Sequence, residues 1–259
     1  MYIDTHCHLH DEKFNGIIDQ IVLESQKYGV VASIDMGCCY KTSLIGKALA
    51  EKYASVYFGA GFHPSDAKDW TDNDYDNLKA LIHNEKCVAV GEIGLDYYWD
   101  DSYKEVQKKV LIAQLELAKE TKMPFSLHSR DATLDTLTLL KEHKDKIVYG
   151  GVVHCFSGSK ETAKEYMDLG LYIGFDGPIT FKNAEKAREV VKFVPKEFIL
   201  TETDSPYLSP EPKRGKLNAP YNIPIILDKI ASVKGIDLEE LKAVVLSNAQ
   251  NLFKKLKIK

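Results

Sequence analysis

Eight histidines occur among 259 residues, and three of them take every second place in the hexapeptide THCHLH: His6, His8 and His10. Imidazole is a common ligand for divalent metal ions, and a pair two residues apart can present both rings to one ion. Other oxygen and nitrogen donors follow at wide intervals: His63 in GFHP, Glu92 in GEIGLDYY, His128 in LHSR, His154 in HCFSG, and Glu202 and Asp204 in ETDSPY. A set of this kind suits two divalent ions bridged by a carboxylate. Such pairs activate water and clamp the attacking and leaving oxygens of a hydrolysis, with the ions about 3.5–4 Å apart.

The elements that must position these residues are short apolar, β-branched runs alternating with longer segments of helical period. The runs are YIDTHCHL, VVASIDMG, VYFGAGFHP, CVAVGEIGLDY, PFSLHSR, IVYGGVVHCF, LYIGFDGP and FILTETDSPY. Segments such as NGIIDQIVLESQKYG and SYKEVQKKVLIAQLELAKE space their apolar residues three and four apart, as a helix with one buried stripe does. Asp131 and Asn183 are expected to cap helix N-termini, and Gly29 and Gly170 to stop helices. Eight strands, mostly each followed by a helix, predict a (β/α)8 TIM barrel formed by one domain, residues 1–259, with a C-terminal helix over IDLEELKAVVLSNAQNLFKKLK. An open doubly wound sheet is the rival arrangement.

On the barrel reading the donors are not scattered. Six strands bring one to the C-terminal rim, where enzymes of this architecture place their active sites. Alternate strand residues share a face, so His6 and His8 point into the mouth and Cys7 points toward the helices. DEKF follows His10, which places that ring in a charged loop. Glu202 and Asp204 share a face at the end of strand eight, and barrel closure sets that strand beside strand one. Asp204 then meets His6 and His8, while Glu92, His128 and His154 form a second group with Glu92 as the bridge. A lone HxH or a lone buried carboxylate is weak grounds for a metal site; six donors on one rim are not all structural.

Composition narrows the setting. A net charge of −4 predicts no general affinity for nucleic acid, so a phosphate-bearing substrate needs a local basic patch or metal ions. The N-terminal segment lacks a signal-peptide pattern, and no apolar stretch approaches the roughly 18 residues of a membrane span. Five cysteines without CxxC spacing argue against a disulfide framework, which points to a reducing cytoplasm. No membrane association and no obligate protein partner are expected.

DTHCHL, GFHP, GEIGLDYY, LHSRDA, HCFSG and ETDSPYL, in that order, resemble the TatD family of metal-dependent deoxyribonucleases, and the resemblance runs from Tyr2 to the C-terminal SNAQNLF. It implies a barrel that hydrolyses DNA phosphodiester bonds from the 3′ end of single strands. It also implies that His6, His8, Glu92 and Asp204 hold one metal, and Glu92, His128 and His154 the other. His63 is similar to a family residue that touches substrate or positions a reacting group. Glu202 resembles a carboxylate that joins a further metal or handles protons. Magnesium is the ion implied for nuclease activity, with zinc or manganese able to take the same positions; the mixed imidazole and carboxylate set accommodates each.

The loop PEPKRGKLNAPYN matches the family tendency at Arg214, Gly215, Lys216, Asn218 and Pro220, but Ala219 stands where an acidic residue is usual. Arg214, Lys216 and Asn218, with Arg130, are the expected phosphate contacts. Tyr97, Tyr98 and Phe156 are candidates to stack on bases, with packing at the rim favoured for Tyr98. A general-base role falls to Asp204. Two other functions fit the same residues. A metal-dependent hydrolase of amides, lactones or aminoacyl esters would use the same ion pair, but many use a modified lysine where Glu92 stands. A non-catalytic metal scaffold would enclose its ions fully, whereas six or seven ligands over two metals leave room for water.

Overall fold

The computed structural model describes residues 1–258, and in it each apolar run becomes a strand: β1 (Tyr2–Cys7), β2 (Val30–Met36), β3 (Val56–Ala60), β4 (Cys87–Asp96), β5 (Phe125–Arg130), β6 (Gly151–Val153), β7 (Tyr172–Phe175) and β8 (Ile199–Thr201). All neighbours pair in parallel, in the unbroken order β1 to β8. A sequential order is that of a (β/α)8 barrel, and the open doubly wound alternative fails. The seam between β8 and β1 is made by side chains and by backbone beyond the strand ends. The Thr5 hydroxyl donates to the Thr201 carbonyl (3.1 Å) and the Thr201 hydroxyl to the Ile3 carbonyl (3.3 Å). Past β8, the Asp204 amide donates to the His6 carbonyl (3.0 Å) and the His8 amide to the Ser205 carbonyl (2.7 Å). These bonds bring Asp204 to the two histidines.

The helical segments become α1 (Ile18–Lys27), α2 (Tyr40–Lys52), α3 (Asp72–Ile82), α4 (Lys104–Thr121), α5 (Thr133–Glu142), α6 (Lys160–Asp168), α7 (Glu185–Phe193), α8 (Ile223–Lys234) and α9 (Leu238–Leu252). Among the described residues no helix is long and apolar enough to cross a membrane. α4 shows why the pattern folds: Val110, Leu111, Leu115, Leu117 and Ala118 are buried in one stripe. Cutting Leu111 or Leu115, both fully enclosed, back to alanine would cost about 2–5 kcal/mol. Two buried glutamines, Gln107 and Gln114, interrupt that stripe seven residues apart.

Gly170 ends α6 as expected, in left-handed backbone with φ 80°. Its amide bonds the Met167 carbonyl and the Leu171 amide bonds the Tyr166 carbonyl, so two terminal carbonyls are satisfied. Gly29 serves α1 in the same conformation, φ 78°. The expected N-caps do not hold. α5 starts after Ala132 and α7 after Ala184, each without a side-chain cap. Asp131 instead takes the left-handed turn, φ 53°, by which the chain leaves β5. Asn183 falls one residue short of the cap position.

Candidate metal centre

Glu92 occupies the middle of β4 and is 3% exposed, which leaves its carboxylate inside the barrel mouth. Its two oxygens face different neighbours. Oε2 lies 3.3 Å from His6 Nε2 and 3.5 Å from His8 Nε2. Those two nitrogens are 3.4 Å apart, and Asp204 Oδ1 is 3.2 Å from His8 Nε2 and 3.9 Å from His6 Nε2. Oε1 lies 2.9 Å from His128 Nδ1 and 2.8 Å from His154 Nε2, which are 3.2 Å from each other. Donor atoms bound at about 2.0–2.1 Å around one tetrahedral ion would stand about 3.3–3.4 Å apart, so both sets have the spacing of ligand shells.

Glycine makes this closeness feasible. Gly94 has φ 150°, and a Cβ there would strike the His128 carbonyl oxygen at 1.9 Å. β4 and β5 could not then approach closely enough for His128 to meet Glu92. Gly174 of β7 plays the same part for Glu202, whose Oε2 would lie 2.5 Å from an added Cβ.

The far nitrogens of the rings determine what the near ones can do. His8 Nδ1 donates to the Met36 carbonyl (3.0 Å), which leaves the Nε2 lone pair facing the centre. His6 Nδ1 bonds the Ser126 hydroxyl (3.0 Å), and His128 Nε2 bonds Asp96 Oδ2 (2.9 Å). His154 Nδ1 faces Glu202 Oε1 at 3.5 Å. Ring nitrogens and carboxylate oxygens thus converge on a shared space, the arrangement that a divalent cation would match. His63 differs. Its Nδ1 accepts the Ser65 amide (3.1 Å), so the proton sits on Nε2, 3.5 Å from Glu92 Oε1. That ring is a hydrogen-bond donor into the mouth.

Charge in the mouth follows the same pattern. Burial opposes ionisation of Glu92, but His154, His63, His6 and the bond from His128 hold its carboxyl well below the ordinary range. Asp204 is partly buried, which opposes its ionisation, yet its carboxyl is lowered, by His8 above all. Burial and the neighbouring His154 lower the pKa of His6. His154 is raised well above its ordinary value because Glu92 outweighs its burial.

Glu202 is fully enclosed behind His154 and accepts the Cys155 amide, and with His6 and His154 it forms a further group of donor atoms within 4.8 Å of one another. Several other residues depart from expectation. Asn218 is completely buried, and all its hydrogen-bonding capacity is used. Its amide donates to the Thr203 and Tyr207 carbonyls (2.8 and 2.6 Å), and its oxygen accepts from Ala219 N and Asn222 Nδ2. It ties the loop after β8 together and has nothing left for substrate. Tyr97 packs against the core away from the donor cluster, its hydroxyl donating to Asp135 (2.9 Å) on α5. Tyr98, assigned to packing, is half exposed. Phe156 is buried against Tyr166. His10 does lie in a turn, but it is tied to the buried Asp35, Nδ1 to Oδ1 2.9 Å, and is not free in solvent. Arg130, Arg214 and Lys216 are exposed, with Arg130 stacked on Tyr98 and Arg214 on Phe181.

Other residues of the centre went unnoticed in the sequence. Asp96 orients His128, and Gln107 holds Asp96 by a pair of bonds, amide to Oε1 and Nε2 to carbonyl, both 2.8 Å. Gln114 grips Phe62, next to His63, in the same way at 2.7 and 2.9 Å. The heptad spacing of two glutamines inside an apolar stripe was the available signal.

Comparison with known proteins agrees with this geometry. The profile of the family described as TatD related DNase matches residues 3–254. The uncharacterized metal-dependent hydrolase YabD of Bacillus subtilis is 41% identical over 254 residues, 98% of this chain and 99% of that one. A Citrobacter koseri protein named 3'-5' ssDNA/RNA exonuclease TatD is 35% identical, covering 96% of this chain and 98% of its own. Among solved structures, the TatD homolog YJJV of Escherichia coli superposes with a TM-score of 0.92 at 33% identity, over 98% of both chains.

Proposed function

This chain belongs to the TatD-related DNase family of metal-dependent hydrolases, and from that premise we propose that it is a 3′-to-5′ exodeoxyribonuclease acting on single-stranded ends. His6, His8, Glu92 and Asp204 would hold one divalent ion, and Glu92, His128 and His154 a second. Magnesium is the working ion of this reading. Bound there, the pair would lower the pKa of water and offset charge on the phosphoryl group. The observation that carries the reading is the division of Glu92, with one oxygen facing each set of histidines.

The chain's own residues supply the rest. Asp204, kept ionised by the histidines beside it, accepts the proton of the attacking water. His63 donates from Nε2 to a non-bridging phosphoryl oxygen, because its other nitrogen is occupied by the Ser65 amide. Arg130, Arg214 and Lys216 neutralise phosphates farther along the strand. Ser126, the Met36 carbonyl, Asp96 and Glu202 keep the rings in register. Single strands labelled at the 5′ end should be shortened one nucleotide at a time in magnesium. Internal cuts from the first turnover, or an intact strand beside rapid hydrolysis of an aminoacyl ester or lactone, would refute the proposal.

A further inference from the structure

The segment between β4 and α4 carries an aromatic pair with no place in the core. Trp99 is 75% exposed and Tyr98 is 51% exposed. Their rings meet edge to face, with centroids 4.8 Å apart. The Arg130 guanidinium lies 3.7 Å from the centre of the Tyr98 ring and 5.6 Å from that of Trp99. The pair forms a ridge between two clefts, one that reaches Asp96, the partner of His128, and one that reaches His154. One is lined by Pro64 and Ser65, next to His63, and by Asp96, Trp99, Tyr103 and Lys68. The other, of about 370 Å³, runs from Tyr98 and Arg130 to His154 and Phe156.

Ridge and centre are also one hydrogen-bonded unit. Asp96 accepts the Tyr98 amide on Oδ1 (2.9 Å) and His128 Nε2 on Oδ2 (2.9 Å). Tyr97 fastens the base of the ridge to β5, its amide donating to the Arg130 carbonyl (2.9 Å). A carboxylate that aims a ring of the centre thus also sets the height of the aromatic pair.

We propose that the Tyr98–Trp99 ridge, with Arg130, is a stacking site for one unpaired base beside the scissile phosphodiester, and that it selects single-stranded over duplex ends. This rests on the nuclease reading above. An exposed indole beside a guanidinium offers a π-face to a base and positive charge to the phosphate that follows it. A base within a duplex has both faces covered by its neighbours, so it cannot use the ridge without first unstacking.

The test is binding of a short single-stranded oligothymidylate to wild type, Trp99→Ala and Trp99→Phe, each against the same oligonucleotide with one base removed in turn at its two 3′-terminal positions. Wild type should lose about tenfold in affinity when the stacked base is missing. Trp99→Ala should lose about as much on the intact strand and nothing further on the abasic one, and Trp99→Phe should keep most of the affinity. Equal losses from the mutation on both strands, or none on either, would overturn the stacking site. So would a wild type that fails to bind the strand. Base-dependent coupling to Trp99 without strand cleavage would leave the stacking site standing and remove the nuclease reading. Cleavage without coupling would do the reverse.

Discussion

The two ends of the barrel use charge in opposite ways. At the mouth, Glu92 and Asp204 face histidine nitrogens at 2.8–3.9 Å, and the far sides of His6, His8 and His128 are held by a hydroxyl, a carbonyl and a carboxylate. At the floor, half-buried lysines are saturated by backbone. Lys86 donates to the carbonyls of Tyr53, Ala54 and Val56 (3.3, 2.7 and 3.0 Å) after α2. Lys234 reaches Val191, Lys192 and Val194 (3.0, 3.3 and 2.7 Å) at the end of α7. Lys255 does the same for Ile82 and Asn84 at the end of α3. A helix end carries partial negative charge and unpaired carbonyls, so a lysine there completes the structure. The mouth is left needing a cation and the floor is not. Function sits where the charge balance is open.

The sharpest break in that contrast is Glu92→Gln. It should reduce hydrolysis of single-stranded DNA by at least about 10²–10³-fold and lower the metal bound per chain, since one amide cannot serve both sets. Asp96→Asn should follow with a 10–100-fold loss of metal affinity, roughly what the partner of a ligating histidine contributes, read by calorimetric titration. At the floor, Lys234→Met should cost about 1–2 kcal/mol in a denaturant melt while the rate constant stays at the wild-type value. A change in rate there would mean that the two ends are coupled.

The shallowest effect concerns pH. Burial disfavours a charge on His10, but Asp35 outweighs it and lifts the pKa from 6.5 to about 10. A raised histidine contributes its full stability below pH 6.5 and loses it as the pH climbs toward 10. Chelator-treated protein should therefore melt at falling temperature across that interval. His10→Gln should flatten the slope, and an unchanged slope would place the titration elsewhere.

Much of the mouth was readable in the sequence because strand period is a local property. β1 stops at Cys7, yet His8 carries on the alternation and both Nε2 atoms face Glu92, and strand order alone separates the Asp204 group from the His128 and His154 group. What was not readable depends on partners distant in the chain. Nothing near Asn218 shows that Thr203, Tyr207 and Asn222 will use all its bonds. Tyr97 and Tyr98 are adjacent and alike, and only the position of Asp135 on α5 decides which one packs against the core. Glu202 was placed on the same strand face as Asp204, but β8 stops at Thr201 and Asp204 adopts φ 53°, so the alternation ends before it. The Gln107 and Gln114 clamps are long-range bonds to loops that only the closed barrel brings within reach of α4.

The most direct test of the central claim is metal stoichiometry alongside activity. Stripped protein is titrated with magnesium, manganese and zinc in turn, and each sample is assayed on 3′-labelled single-stranded DNA beside Glu92→Gln. Two ions per chain, with hydrolysis appearing only as the second is bound and disappearing in the mutant, is the predicted result. Full hydrolysis by the stripped protein, or by Glu92→Gln with its ions intact, would contradict the account.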